Sequence, residues 1–411
     1  MTNKLEDEAL EDWIIKLRRE FHQHPELGFK EYETQKRILT ILGELGIEAR
    51  KIAGTGVIAS IKGASDGPCI ALRADTDALL VEEKLTERNK DYVSQKKGVM
   101  HACGHDGHMA MLFGAARLFS ENRNFPGEIR LIFQPAEEMP HPSGSVKVIE
   151  DGGLEGVDAI VGMHIFTDHE SGSIGIRSGP FMASNNRFTI HLKGKGGHIA
   201  KPENCIDPIR MEIEFISNLY SSLEEKLETG TYVIGIGKIA GGEQASSFPD
   251  SMEILGSYRT FDIETTQIID KTISKCLENT MKKFKRAGNE FTGYPDYDID
   301  ILHSCPILIN DPTFTDTVNS KLQESFPDKI IYSNIKQMYT AEDFASYLQI
   351  VPGTFISLGT KNLEKGIVEI NHSSAFDIDE DILITGAKIF YILSTDFLKK
   401  PKKYIKSYKS Q

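Results

Sequence analysis

Nine residues, Met100-His101-Ala102-Cys103-Gly104-His105-Asp106-Gly107-His108, gather three imidazoles, a thiol and a carboxylate just ahead of an apolar helical run. Cys103 and His105 alternate, so an extended or tightly turned backbone points both to one side. A thiolate and an imidazole from one loop suit a borderline-soft divalent ion such as Zn²⁺, and such an ion needs further ligands. Four other segments offer them. Asp75 and Asp77 follow the apolar run Ile70 to Leu72, Glu137 and Glu138 follow Ile129 to Phe133, His164 follows Ile160 to Met163, and His372 sits in Asn371-His372-Ser373. In open α/β sheets, ligands collect at the carboxyl ends of strands, so these positions are expected to converge. Singly, each has an ordinary reading. His164 alone reads as a hydrogen-bonded residue, and the Glu pair as a solvated face. Asp75 and Asp77 alone read as caps of a helix starting near Leu79. Together they point to a metal centre. From a strand end, adjacent Glu137 and Glu138 cannot both face one ion without strain. One is expected to bind metal while the other faces an activated water, the arrangement of general-base hydrolysis.

The elements that must hold these residues follow from hydrophobic periodicity. With 411 residues, 40% hydrophobic and 26% charged, the chain is long enough for two domains of ordinary globular composition. Helical patterns at Leu10 to His22 and Glu31 to Leu45 precede short apolar runs at Val57 to Ile61 and Cys69 to Leu72. A helix over Met109 to Glu121, a strand over Ile129 to Phe133, a helix over Val146 to Glu150 and a strand over Ala159 to Met163 follow. This alternation predicts a largely parallel sheet covered on both faces. From Ser184 the pattern changes to strand (Arg187 to Lys193), helix (Asp207 to Leu227), two strands (Tyr232 to Ile239, Met252 to Tyr258), helix (Thr265 to Lys285) and strand (Asp298 to Leu302). That βαββαβ order is a ferredoxin-like arrangement. A small domain over 184–306 inserted between halves 1–183 and 307–411 is the economical reading.

The net charge of −13 argues against nucleic acid or an anionic membrane as the main partner. No apolar run reaches the ~20 residues a membrane span needs. The acidic, polar first residues do not resemble a secretion signal, so a cytoplasmic location is expected. Five scattered cysteines are expected to be reduced. The lysine-rich tail from Lys399 to Gln411 reads as a solvated terminus.

These segments together resemble the metal-dependent aminoacylase/carboxypeptidase/amidohydrolase family that includes hippurate hydrolases and auxin-conjugate hydrolases, and especially its archaeal and bacterial thermostable carboxypeptidases. The resemblance covers nearly the whole chain. It runs from Leu17-Arg18-Arg19-Glu20-Phe21-His22-Gln23-His24-Pro25-Glu26-Leu27 through the Cys103 loop, Gln134 to Glu138 and Gly196-Gly197-His198 to Ala341-Glu342-Asp343-Phe344 and Asn371-His372-Ser373. It implies an α/β, zinc-peptidase-like catalytic domain with the inserted ferredoxin-like domain as lid and dimerisation surface. It also implies two divalent ions per subunit, Zn²⁺ first with Mn²⁺, Co²⁺ or Ni²⁺ as alternatives, on Cys103, His105, Glu138, His164 and His372. Glu137 would be the general base and Asp77 would orient a ligand. His198 would reach the neighbouring subunit's site to stabilise the oxyanion, and Arg259 would grip a substrate carboxylate. His101 and His108 are then left as loop and helix support. Two departures stand out: Ser246 replaces an Asn usual in such relatives, and Met139-Pro140-His141-Pro142-Ser143 lacks the usual glycines.

The implied substrate is an N-acyl amino acid or a short peptide with a free C-terminal carboxylate, and the implied assembly is a homodimer or dimer of dimers. An N-acetyl-diaminopimelate deacetylase is a narrower enzymatic alternative. A catalytically silent relative that only binds metal or ligand is the other, and the free carboxylate beside the metal residues argues against it.

Overall fold

The computed structural model describes residues 4–139, 141–285 and 293–406. Two compact units emerge, one formed by Met1–Phe181, Leu308–Lys336 and Glu342–Gln411, the other by Met182–Ile307 and Gln337–Ala341.

The first unit is built on an eight-stranded sheet. Its four central strands, Pro126–Gln134, Ser65–Asp75, Ala159–Glu170 and Gly353–Lys361, lie side by side and parallel. Each has a continuous buried stretch, towards the end of Pro126–Gln134 and Ser65–Asp75, over the first nine residues of Ala159–Glu170 and along nearly all of Gly353–Lys361, which is why each reads as a continuous apolar run. Three pairings towards the margins are antiparallel: Ala49–Ile52 with Gly56–Lys62, Gly56–Lys62 with Pro126–Gln134, and Ile174–Gly175 with Gly353–Lys361; the edge strand Ile331–Tyr332 pairs parallel with Ile174–Gly175. The sheet is thus mixed where alternation predicted a mainly parallel one. The strand Ala49–Ile52 escapes sequence reading because it has only four residues and three are not buried.

The helix His105–Glu121 is buried on nearly every side, against the sheet and against the helices Lys4–Gln23 and Leu383–Lys399. Gly114 permits this approach, since a Cβ there would lie 2.5 Å from Ile14 Cδ1 and 2.7 Å from Ala387 Cβ. No helix starts near Leu79, which instead pairs with Met100 in an antiparallel bridge, so the helix-cap reading of Asp75 and Asp77 fails. The lysine tail is also more than a solvated terminus. Pro401–Tyr404 forms a short helix, and buried Tyr404 packs on Phe314 and Phe397 and donates to Asp396 at 2.8 Å. Residues 407–411 lie outside the described residues.

The second unit has a four-stranded antiparallel sheet in the order Tyr232–Ala240, Ser251–Thr260, Asn185–Lys193, Asp296–Cys305. Helices Pro208–Lys226 and Ile263–Phe284 supply Met211, Phe215, Leu219, Ile269, Ile273 and Leu277 to a core shared with Phe188, Ile190, Leu192 and Ile254. Asp207 and Asp262 cap the two helices through side-chain oxygens that accept first-turn N–H groups. Among the described residues, no helix is long and apolar enough to cross a membrane. All five cysteines are buried, and none forms a disulfide among the described residues.

Candidate metal centre and active site

The centre forms where the central strands end. Asp75 is the last residue of its strand and stands level with Gln134, while the pairing of Arg73 with Gly162 brings His164 to the same height. His164 lies inside its strand, which continues to Glu170, rather than after it. Cys103 and His105 flank Gly104, whose φ of +89° ends the loop and opens the helix at His105. His105 therefore projects from a first helical turn, four residues earlier than periodicity suggested, and the two side chains converge through a left-handed turn rather than an extended strand.

Two groups of potential ligand atoms, each within 4.8 Å, share Cys103: Cys103, His105 and His164, and Cys103, Glu138 and His372. Cys103 Sγ lies 3.3 Å from both His164 Nε2 and His372 Nε2, and His372 Nε2 lies 3.1 Å from Glu138 Oε1. The ring orientations are fixed from behind. His164 Nδ1 donates to the Ile165 carbonyl at 2.8 Å and His105 Nδ1 to Asp77 at 3.2 Å, so each presents Nε2 to the centre. His105 Nε2 is buried without a hydrogen-bond partner.

The electrostatics also suit a cation. Burial, then the Glu138 and Glu137 carboxylates, pushes the Cys103 thiol well above its ordinary range. Against burial, Asp75 and Asp77 pull His105 up to about 10. A field that favours a proton on His105 and opposes a bare thiolate favours a divalent ion among these donors. The donor set of thiol, imidazoles and carboxylate fits such an ion.

Glu137 and Glu138 do not divide as adjacent residues of a strand would. The strand stops at Gln134, and Ala136 adopts φ +52°, an uncommon conformation for a residue with a Cβ. This turn brings oxygens of both carboxylates and a His105 nitrogen within 4.8 Å of one another. Asp77 accepts from the backbone N–H of Glu137 at 3.1 Å and of Glu138 at 3.0 Å, besides holding His105. Burial, then Glu342 and Glu138, raises Glu137 well above the usual carboxylate range.

Several residues at the centre were not singled out from sequence. Arg73, fully buried, donates to Asp75 (2.7 Å), Glu342 (2.9 Å), Asp343 (2.9 Å) and Gln134 Oε1 (2.9 Å). Asp343 in turn accepts from Gln134 Nε2 and the Ser145 N–H. His108 is more than helix support: its Nε2 accepts from the Ile165 N–H at 2.9 Å and its Nδ1 donates to Asp75 at 2.6 Å. Asp75 is likewise central; burial opposes its ionisation, yet His105, Arg73 and His108 hold it well below the usual range. His101 has neither ring nitrogen hydrogen-bonded, and burial lowers it to about 3, so it sits in the core as a neutral ring. Glu31, also fully buried, is pushed up to about 7 by burial and the Asp77 charge. The one available signal for Arg73 and Asp343 was their charge inside or beside apolar runs.

His198 and Arg259 belong to the second unit. His198 is exposed in a short strand paired with Ser247–Phe248, and its Nδ1 accepts from the Ala200 N–H at 3.1 Å. The neutral ring therefore carries its proton on Nε2, free to donate. The backbone carbonyl of Ser246 braces the next residue, accepting from the Ile199 N–H at 3.1 Å. Arg259 lies on the sheet face opposite the helices; burial, then Arg187, lowers its pKa, and its Nη1 donates to the Tyr258 carbonyl at 3.1 Å. His141 and Ser143 follow Pro140, which lies outside the described residues.

With this geometry in view, comparison with known proteins places the chain. The Saccharolobus solfataricus protein Thermostable carboxypeptidase 1 is 37% identical over 406 residues, covering 97% of this chain and 100% of that protein. N-acetyl-L-cysteine deacetylase of Bacillus subtilis is 38% identical over 393 residues, covering 95% and 89%. The crystal structure of Bacillus subtilis YXEP, a dinuclear metal binding peptidase, superposes with a TM-score of 0.81 at 35% identity, covering 95% of this chain and 99% of that one. Residues 71–395 match the profile of peptidase family M20/M25/M40, so a sequence that reads as a metal-dependent hydrolase belongs to that family.

Proposed function

We propose that Cys103, His105, Glu138, His164 and His372 hold two divalent ions, and that Glu137 is the general base for hydrolysis of an N-acyl amino acid or a short peptide bearing a free C-terminal carboxylate. As a member of its family the chain is a metal-dependent hydrolase of amide or peptide bonds. The single observation that carries the finer reading is the pair of ligand groups sharing Cys103, with Glu137 beside them. The thiol and imidazoles favour Zn²⁺, with Mn²⁺, Co²⁺ and Ni²⁺ able to use the same donors. Bound ions supply Lewis acidity, polarising the substrate carbonyl and acidifying water.

The chain's own groups do the rest. Glu137, held by the Asp343 N–H at 3.5 Å, takes a proton from the attacking water and delivers it to the leaving nitrogen. Asp77, His108 and Arg73 keep the ligands and carboxylates oriented. We assign residues 184–306 to a ferredoxin-like lid and dimerisation domain inserted between 1–183 and 307–411. From it His198 Nε2–H donates to the developing oxyanion of the neighbouring subunit's substrate, and Arg259 grips the substrate carboxylate. A homodimer and a cytoplasmic location complete this reading. Of the relatives, one is named as a carboxypeptidase and another as a deacetylase of N-acetyl-L-cysteine, and the proposed substrate class spans both names.

The test is Glu137→Gln in metal-saturated enzyme. Metal content is expected to stay at the wild-type value while kcat on N-acyl amino acids or dipeptides falls about 10²- to 10⁴-fold. Activity near wild type in that variant refutes the assignment of the base.

A further inference from the structure

The turn that carries Glu137 and Glu138 has three consecutive backbone N–H groups, and two buried carboxylates take all three. Asp77 accepts from residues 137 and 138. The third, Ala136 N–H, donates to Glu31 Oε1 at 2.8 Å, while Glu31 Oε2 accepts from Thr55 Oγ1 at 2.5 Å. Successive N–H groups around a left-handed residue form a concave anion-binding nest. Here the nest is filled from within the chain.

Glu31 immediately precedes the helix Tyr32–Glu44, where a cap side chain would normally serve that helix. It makes no such bond with its own helix. The segment leading to it presses on the same turn: a Cβ on Gly28 would lie 3.2 Å from Ala136 Cα and 2.6 Å from Met139 Cγ. Thr55 is itself buried, in a turn where Ala53 and Gly54 have φ +49° and +76°. Thus a residue 105 positions away spends its carboxylate on the one backbone conformation from which both site glutamates depart.

We propose that Glu31 is a positioning residue for the hydrolysis, clamping Ala136 between Thr55 and the Gly28 segment so that Glu137 and Glu138 leave the turn in their working directions. The inference rests on the roles proposed above for those two residues. Glu31 requires its two hydrogen bonds rather than a charge, because a protonated carboxyl or an amide can still accept from Ala136 N–H and reverse the other bond by donating to Thr55 Oγ1.

Glu31→Ala and Glu31→Gln test it in the metal-saturated protein, with kcat and KM measured on an N-acyl amino acid. The visible spectrum and Kd of the Co²⁺-loaded protein are recorded in parallel. Glu31→Ala is expected to lower kcat about 10- to 100-fold with little change in KM, to alter the Co²⁺ spectrum and to weaken Co²⁺ binding. Glu31→Gln is expected to stay within about fivefold of wild type in all of these, since it preserves both contacts. Should Glu31→Ala fail to fold, Thr55→Val removes one anchor alone and is expected to lower kcat by about threefold to tenfold with the same spectral change. Wild-type kcat and an unchanged Co²⁺ spectrum in Glu31→Ala, or in Thr55→Val if it is the variant that folds, overturn the proposal. Equal impairment of Glu31→Gln and Glu31→Ala overturns it too, by assigning the effect to charge. If wild-type protein hydrolyses no N-acyl substrate, the proposed function fails instead, and the Co²⁺ measurements still decide the role of Glu31.

Discussion

Replacing Arg73 with methionine tests whether the carboxylates behind the metal centre depend on one buried cation. Arg73→Met conserves much of the side-chain volume and removes the donor contacts to four partner residues. Asp75, Glu342 and Asp343 have side chains only 0%, 1% and 4% exposed, so water cannot take over their solvation. Breaking a single buried ion pair typically costs about 3–5 kcal/mol. The three losses do not add, because burial and Asp343 already raise Glu342 to about 8, leaving it mostly neutral at pH 7. The uncompensated charge is then shared mainly by Asp75 and Asp343, and a total near 4 kcal/mol follows. For a unit of this size each kcal/mol moves the melting midpoint by roughly 2 °C, so a fall of about 6–10 °C is expected. Without the guanidinium the carboxylates bind protons more tightly, which relieves the repulsion as pH falls. The deficit relative to wild type is therefore larger at pH 8 than at pH 6. Thermal unfolding of both metal-saturated proteins at several pH values measures it. A shift under about 2 °C, or a deficit that shrinks as pH rises, would refute the electrostatic account.

Two further outcomes follow from the same geometry. Asp77→Ala, which frees His105 Nδ1 and two backbone N–H groups together, is expected to weaken metal binding about 10- to 100-fold in a competitive chelator titration. If His198 acts across subunits, mixing His198→Ala with Glu137→Gln chains should restore activity that neither variant has alone. Verified heterodimers with no recovered turnover would remove His198 from the neighbour's chemistry.

The legibility of this protein divides by sequence distance. Cys103, His105 and the Glu137–Glu138 pair were readable because chemically distinctive residues stand beside apolar runs whose ends a parallel sheet must gather. Their neighbours were not. Glu31 meets Ala136, and Arg73 meets Glu342 and Asp343, across 105, 269 and 270 positions, and no local period encodes such pairs. His108 reads as helix support once the implied ligand set is complete without it, whereas the helix that starts after Gly104 turns His108 inward against Asp75. In the second unit the two-residue alternation and the helical period made strand and helix limits readable to within a few residues. The margins of the large sheet were less readable because they are short and only partly buried.

The central strand Gly353–Lys361 has an implication for synthesis. It is the parallel partner of Ala159–Glu170, and His372 follows it by eleven residues. On the ribosome, the strand bearing His164 waits for nearly two hundred residues before its neighbour emerges, whereas the core at Phe188 to Leu277 has all its members much sooner. The nascent chain thus exposes an apolar sheet edge for many seconds at ordinary elongation rates. On the ligand set proposed above, the site stays incomplete until residue 372 has emerged. Truncation anywhere before residue 372 removes one of the imidazoles proposed to complete the site around Cys103, so on that reading such a fragment would bind metal more weakly than the longer chain.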